Sequence, residues 1–482
     1  SEKIMTKRVL FLFLCFFVAG TSLLMAQSEP DETDDPFKNS PFFSKPIDEL
    51  IGNEKRDQPE EPDEEEKDDE GYQHRAKTRY VTRINNEGLD FGGFFESGPY
   101  TSNELYAAYP ILPMVHFNRV DGVFLGIREE RMQWYSYNHF FDIVNLHPTG
   151  MIGYSFGQDE WQYEAGLERY FGHKKHLILG GGIYNATSTD DYWRMGLMET
   201  SLSAVFAGYD YLDYYKQEGW GLYALARTTN YFEGGVSFNQ NTFSSLEQST
   251  DYHMFGKNDF YRPNPAVDYF FGTPVDSIDV AGLTLSAAFN PKHIILLPRF
   301  TFSLSGVMEI ADPEYGISDY TYTKYLTEFI SYLNFEPGAV LKYRLRAGSI
   351  TGEAPEMKEF HLGGPGSLRA QPYKSLPLNS DGGNKMLLSN AEIQFGSGGY
   401  WNDGWIDLDD FYLSFFLDSG WTSYYSGENE NPLDGFSEFS VSKMEHSGGI
   451  GLGTNSIRAE VAWDLNQTSR APILWIRFNP TF

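Results

Sequence analysis

The sequence predicts an all-β protein: a transmembrane antiparallel β-barrel with a long loop folded into its lumen. Three observations lead to this fold class. The composition is rich in aromatic residues and glycine, short segments recur in which apolar and polar residues alternate, and a secretion signal lies near the amino terminus. Alternation places one type of side chain on each face of a strand, so it predicts strands with two chemically different faces.

The composition favours one large β domain. The 482 residues include 38 Phe, 32 Tyr, 9 Trp and 47 Gly, a mixture that suits many strands joined by turns rather than helical bundles. By length alone the chain could hold roughly two to four domains, but barrels of this length often fold as single units.

Residues 1–26 are predicted to be a signal peptide. Lys7 and Arg8 precede an apolar run over residues 9–24, and a small residue follows at the expected cleavage site, which is the pattern of secretory signals. The single cysteine, Cys15, lies inside this run. The mature chain is therefore expected to lack cysteine, and with it disulfide and thiol chemistry.

Residues 27–76 are predicted to form an acidic, disordered periplasmic tail. Between residues 28 and 70 there are 18 Asp and Glu against 5 Lys and Arg, a net charge of −13, and such a charge block cannot bury a core. Nucleic acid is not an expected partner, because phosphate binding needs a basic surface. The tail is either a solvated spacer or a docking segment for a periplasmic partner protein. Residues 77–104 are interpreted as a lead-in to the barrel.

The barrel is predicted over residues 105–482, where alternating segments recur between loops rich in Gly, Asn, Asp and Pro. A soluble sandwich also alternates, but its strands average about five or six residues. Several segments here approach the roughly nine to eleven residues of a tilted membrane strand, and their polar faces carry charges of both signs, as a water-filled lumen permits. The expected location is the bacterial outer membrane, with outer-membrane lipid around the barrel.

The end of the chain gives the sharpest local signal. In residues 457–465, charged Arg458 and Glu460 alternate with apolar residues, and the pattern continues in the closing strand. The aromatic residues of that strand are Trp475, Phe478 and Phe482. An aromatic residue that closes an amphipathic strand resembles the signal that outer-membrane barrels present to their assembly machinery. The alternative is that Phe482 merely ends an edge strand.

A glycine-rich break at residues 361–369, HLGGPGSLR, precedes a strand with clean alternation. Its motif residues are Gly363, Gly364, Gly366 and Leu368, and they are followed by a lone arginine, Arg369. In the next strand Glu392 lies on the polar face and Ile393 on the apolar face. An acid on an inward face, after a long loop with one arginine, indicates a loop tucked into a wet interior.

With these residues in view, the stretch 336–482 resembles the BamA-type superfamily of outer-membrane barrels, also called the bacterial surface antigen family. The matching motifs, in order, are LGGPGSLRAQPY, GGNKMLLSNAEIQF, FFLDSGW, GGIGLGTNSIRAEVAWDL and WIRFNPTF, and FNRVDGVFLGI upstream resembles the phrase with which many such barrels begin. The resemblance implies a barrel of about 16 strands, an even number as in bacterial outer-membrane barrels generally.

In that superfamily the loop folds back into the barrel, and its arginine pairs with acids on the two following strands. The resemblance therefore implies that Arg369 meets Asp418 and Glu392 in a lumenal loop lock, where a guanidinium can form bidentate charged hydrogen bonds. The alternative is an exposed arginine on a surface loop. The motif departs from the usual arginine-glycine-aromatic order, since Ala370 and Gln371 follow the arginine and the aromatic residue comes later.

The expected function is non-enzymatic: outer-membrane protein or lipid biogenesis or translocation, together with a periplasmic partner. Insertases of the superfamily carry POTRA domains before the barrel, and about 50 acidic residues cannot hold one, so a stand-alone barrel is expected. No G-x-S-x-G motif is present and the histidines lack metal-ligand spacing, so no catalytic residue, cofactor or metal is expected. The alternatives are a passive pore for small solutes and a rim-located hydrolase.

Overall fold

The computed structural model describes residues 111–129, 146–171, 177–227, 231–255, 261–291, 296–297, 299–336, 339–377, 382–396, 411–454 and 457–478. The predicted signal peptide, acidic tail and lead-in segment lie outside the described residues, as does Phe482. These parts of the sequence interpretation stay predictions.

Sixteen strands form one sheet in which each strand is antiparallel to its neighbours and strand order follows chain order. The strands of this sheet are β1 (Ile111–Asn118), β2 (Gly122–Glu129), β3 (Leu146–Ser155), β4 (Glu160–Phe171), β5 (Leu177–Ser188), β6 (Tyr215–Arg227), β7 (Phe232–Ser245), β10 (Ser277–Phe289), β11 (Phe300–Ala311), β12 (Thr321–Glu336), β13 (Ala339–Glu353), β14 (Lys385–Gly396), β15 (Tyr412–Ser423), β16 (Glu445–Gly453), β17 (Ile457–Asp464) and β18 (Ile473–Phe478). The predicted all-β class with 16 strands in the sheet is confirmed.

The remaining elements lie in the connections between these strands. A two-stranded hairpin of β8 (Tyr269–Phe270) and β9 (Thr273–Pro274) follows β7, helix α1 (Leu197–Ala207) joins β5 to β6, and three short 3-10 turns occupy Glu356–Lys358, Phe436–Glu438 and Val441–Lys443. Within the described ranges, no helix is both long enough and apolar enough to cross a membrane.

Alternation decides which side chains face the interior, and β15 shows it most clearly. Leu413, Phe415 and Leu417 are 37%, 43% and 46% exposed, whereas Phe416 and Asp418, which alternate with them, are 5% and 0% exposed. The residues of the apolar set point outward because successive side chains of a strand project to opposite faces. The register with β14 places Asn390 directly opposite Asp418.

The distribution of polarity is the reverse of that in a soluble protein. Among the described residues, the largest fully buried side chains include five arginines, namely Arg119, Arg344, Arg369, Arg458 and Arg477. The exposed outer faces carry large apolar residues, such as Val115 at 57%, Leu167 at 57%, Leu222 at 57% and Leu474 at 65%. Soluble proteins almost never bury arginine without partners and rarely expose continuous apolar surface.

The segment between β13 and β14, here called the inner loop (residues 354–377 and 382–384), fills part of this interior. Its residues Leu362 and Leu368 are 0% exposed and belong to the same buried cluster as Ile350 of β13 and Leu388 of β14. Because consecutive strands are antiparallel, the connections alternate between the two ends of the sheet. The inner loop therefore enters from the same end as the β5–β6 connection.

Candidate functional site

The inner loop turns sharply where its glycines lie. Gly363, Gly364 and Gly366 have φ angles of 115°, 85° and 68°, a region that residues with a Cβ rarely adopt. A Cβ at Gly366 would lie 2.3 Å from the carbonyl oxygen of Arg194 in the β5–β6 connection. Glycine is needed here both for the backbone conformation and for close contact with that connection.

Leu368 anchors the loop immediately before the arginine. It packs with Leu362 against Gly420 of β15, where a Cβ would lie 2.9 Å from Leu362 and 3.1 Å from Leu368. The aspartate-x-glycine sequence of β15 thus supplies two things: Asp418 as a charge partner and, two residues later on the same face, a flat surface for the leucines.

Arg369 is 1% exposed and pairs with Asp418 through two parallel hydrogen bonds. Its Nε donates to one carboxylate oxygen at 2.9 Å and its Nη2 donates to the other at 2.8 Å. The backbone N–H of Arg369 also donates to Asp418, at 3.3 Å. Bidentate geometry of this kind fixes the guanidinium in position and orientation.

The second terminal nitrogen of Arg369 reaches two further acids. Nη1 donates to Glu392 of β14 at 3.1 Å and to Glu460 of β17 at 3.1 Å. Arg458 of β17 donates to Glu392 at 2.7 Å and also contacts Glu460. Two arginines and three carboxylates therefore form one buried network, which we call the Arg369 cluster.

Two aromatic residues complete the surroundings of Arg369. The guanidinium carbon lies 3.4 Å from the ring centroid of Phe416, a cation–π arrangement. The indole N–H of Trp475 in β18 donates to the Arg369 carbonyl oxygen at 2.7 Å. The loop is thus held by residues of β14, β15, β17 and β18 together.

A further arginine fixes the turn itself. Arg344 of β13 donates to the carbonyl oxygen of Gly366 and, at 3.1 and 2.8 Å, to the side-chain oxygen of Asn390. Asn390 in turn donates to Asp418 at 2.8 Å and to the Ser367 carbonyl at 2.9 Å. Asp418 and the glycine turn are therefore bridged by one hydrogen-bonded chain.

The residues that depart from the superfamily motif have defined contacts. The N–H of Ala370 donates to Ser447 at 3.1 Å, and the Gln371 amide donates to Asp464 at 3.0 Å. Tyr373, two residues later, donates its hydroxyl to Asp191 at 3.2 Å. The displaced aromatic side chain thus contacts the β5–β6 connection.

The far side of the inner loop carries a second charge group, which we call the Lys374 cluster. Lys374 donates to Asp191 at 2.6 Å and to Asp213 at 2.7 Å, and Arg262 also contacts Asp213. Although burial pushes the pKa of Asp213 upward, Lys374 and Arg262 outweigh it and hold that pKa below its usual value of 3.8. The carboxylate is therefore stabilised in its charged form.

The chemistry of these clusters is that of ionic anchoring. Guanidinium and ammonium groups engage the carboxylates of both clusters. Neither cluster therefore presents a free acid–base pair to an open space. Within the described residues, no group of three or more His, Cys, Asp or Glu side chains is arranged to hold a metal ion.

The structure brings together most of the residues singled out from the sequence. Arg369 contacts both Asp418 and Glu392, and the glycines and Leu368 shape the loop that carries it. Trp475 faces the interior and bonds to the loop, whereas Phe478 lies at the end of β18. Their role in assembly stays a prediction.

Sequence reasoning missed Glu460 and Arg458 as members of the Arg369 cluster, although the alternation in β17 already placed both on the charged face. It also missed Lys374. No signal in the sequence indicates its partners, because they lie in a connection more than a hundred residues away.

Residues 97–352 match the model of a family of unknown function, the DUF5686 C-terminal domain. The chain belongs to this family. The match covers β1 to most of β13, so the inner loop and the Arg369 cluster lie beyond it. No curated protein matches the chain in sequence.

Among solved structures, the chain is similar to BamA from Haemophilus ducreyi lacking POTRA domains 1–3, with a TM-score of 0.44 and 14% identity over 76% of this chain and 68% of that one. CdiB from Acinetobacter baumannii gives 0.38 and 11% over 76% and 58%, and CdiB from Escherichia coli gives 0.38 and 10% over 77% and 62%. This chain thus spans less than two thirds of either CdiB.

Proposed function

We propose that this chain is a non-enzymatic outer-membrane barrel of the BamA-type superfamily, acting in outer-membrane protein or lipid biogenesis or translocation. The observation that carries the proposal is the reversed polarity of the sheet. Large apolar residues lie on the outer faces, while arginines and acids are buried in the interior beside the apolar cluster of the inner loop, which is an arrangement that suits lipid outside and a polar interior.

The inner loop supports transport under control rather than free diffusion. A passive pore needs an open path, but this loop is held in the interior by the Arg369 cluster on one side and the Lys374 cluster on the other. A loop so anchored is suited to obstructing the path until those contacts are released.

Partners are proposed for both termini. For the acidic tail, the proposed partner is a periplasmic protein. The closing strand, with Phe478 and Phe482, would be read by the outer-membrane assembly machinery.

Depletion of the protein in its host tests the biogenesis role. We expect isolated outer membranes to lose one or more proteins or lipids, and wild-type protein to restore them while Arg369→Ala does not. An outer membrane of unchanged protein and lipid content would overturn the proposal.

Conductance in planar bilayers separates this function from the pore. The intact protein is expected to conduct little, and Arg369→Ala is expected to conduct more often because the loop is released. A large, steady conductance of the intact protein that Arg369→Ala leaves unchanged would favour a passive pore.

A further inference from the structure

Helix α1 lies between the first and last strands of the sheet. The backbone N–H of Phe117 in β1 donates to the hydroxyl of Ser201 at 3.1 Å, and the backbone N–H of Phe478 in β18 donates to the carboxylate of Glu199 at 3.2 Å. Ser201 and Glu199 are two residues apart on the helix. One short helix segment therefore takes a donor from each terminal strand.

These two donors belong to edges that need partners. β1 and β18 are the ends of the strand order, and within the described residues no backbone ladder joins them. An unpaired strand edge exposes a row of N–H and C=O groups that must be covered. Here two side chains of α1 accept one backbone donor from each of these strands.

A buried ion pair reinforces the contact with β18. The guanidinium of Arg477 binds the carboxylate of Glu199, with one contact at 3.2 Å, and the two side chains are 0% and 2% exposed. Glu199 thus holds both the main chain and a side chain of the last strand. A single helix residue makes the polar attachment to β18.

The outer side of the seam between β1 and β18 is covered as well. Phe117 shares its outward face with Val115, which is 57% exposed, yet Phe117 is only 8% exposed because Ala204 of α1 and Tyr261 pack on it. The helix therefore lies where the strand next to β1 would otherwise continue the wall.

The attachment of α1 to the terminal strands differs in kind from the strand pairings of the sheet. β17 and β18, for example, are joined along a ladder that runs from Ile457↔Phe478 to Ala462↔Ile473. The helix offers one hydroxyl to β1 and one carboxylate to β18, and Gly196 at its start provides no side-chain cap.

The helix is also connected to the inner loop. Arg477 reaches the carbonyl of Arg194 at 3.4 Å, and Arg194 donates to the carbonyl of Gly363 at 3.3 Å. Gly366 lies against the backbone of the same arginine. The position of α1 is thus tied to that of the loop inside the sheet.

We propose that α1 is a latch that closes the seam between β1 and β18, with Glu199 and Ser201 as its two attachment points, and that it is released as one unit. Release of either attachment exposes both strand edges, because both are held by the same turn of helix. This inference rests on the contacts of α1 with β1 and β18 and does not depend on the proposed role in biogenesis.

Hydrogen–deuterium exchange of the full chain in lipid bilayers tests the latch. Glu199→Ala and Ser201→Ala are each expected to speed exchange about tenfold or more in both peptides, residues 114–118 and 475–478. Ser203→Ala is the control on the same helix, because its hydroxyl lies within hydrogen-bond distance of two carbonyl groups, of Thr200 and Tyr209, in and just after the helix rather than of a strand. It is expected to change neither peptide. If each variant affects only the strand that it contacts, or neither strand, the latch is overturned.

Glu199→Gln keeps the test decisive if Glu199→Ala does not fold. Glutamine keeps an acceptor for the Phe478 N–H and removes the charge that Arg477 binds, so a smaller increase in both peptides is expected. An increase confined to residues 475–478 in this variant would again overturn the latch.

Discussion

The two charge clusters that hold the inner loop use similar groups in different surroundings. In the Arg369 cluster, the acids Glu392, Asp418 and Glu460 lie on strands and their side chains are at most 1% exposed. In the Lys374 cluster, the acids Asp191 and Asp213 lie in the β5–β6 connection and are 7% and 18% exposed. The acids of the first cluster are fully buried on paired strands, and those of the second lie in a connection nearer to water.

This difference determines what each contact is worth. A carboxylate on a paired strand cannot move away when its cation is removed, so it stays buried without compensation, which is costly. A carboxylate that keeps part of its exposure to water, such as Asp213 at 18%, retains some solvation when its cation is removed, so its ion pair contributes less. The same interaction therefore anchors one side of the loop strongly and the other side weakly.

The largest effect is expected for Arg369→Met. It leaves Asp418 without its guanidinium partner, while Arg458 still contacts Glu392 and Glu460, so the free energy of unfolding should fall by about 3–5 kcal/mol. Urea unfolding in detergent micelles measures it. Arg470→Met is the matched control, because this arginine is 42% exposed, and its cost should stay within about 1 kcal/mol. Equal costs for the two variants would remove the distinction between buried and exposed arginines.

A smaller loss is expected for Asp418→Asn. The bidentate partner of Arg369 loses its charge, but Glu392 and Glu460 still engage the guanidinium, so the cost should be about 1–3 kcal/mol. The midpoint of heat modifiability on gels should fall accordingly, while exposed Glu438→Gln should leave it in place. An unchanged midpoint for Asp418→Asn would argue against a buried lock.

Lys374→Met is expected to cost less than either, about 0.5–1.5 kcal/mol. Arg262 still contacts Asp213, and Arg194 donates to Asp191 at 3.2 Å, so neither acid loses all its cations. Exchange of the amides in residues 371–377 should nevertheless become faster. A loss of stability greater than that of Arg369→Met would reverse the ranking of the clusters.

The smallest effect is expected from Asp213, which should add to the dependence of stability on pH. Folding lowers its pKa from 3.8, so the folded state favours the charged carboxylate. The resulting stabilisation is complete above the ordinary pKa of 3.8. It is lost as the pH falls below that pKa. The difference in stability between wild type and Asp213→Asn should therefore shrink below about pH 4. A difference that stays constant or widens on acidification would contradict the assignment.

Much of the Arg369 cluster could be predicted from sequence because its partners lie on alternating strands. The alternation in β14 and β15 placed Glu392 and Asp418 on the inward face, and the superfamily motif pointed to the arginine. The same rule, applied to β17, would have added Glu460. The Lys374 cluster gave no such signal, because its acids lie in an irregular connection where no periodicity relates residue number to direction.

The sequence by itself determined the class of the fold, the two faces of each strand and the charged interior, since these depend on the period-2 geometry of the local backbone. Only the tertiary structure decided which distant groups meet. Lys374 pairs with Asp213 across 161 residues and Arg477 with Glu199 across 278. Such pairs exist only once the sheet has brought its connections and its first and last strands together, and that arrangement is a property of the whole sheet rather than of any one segment.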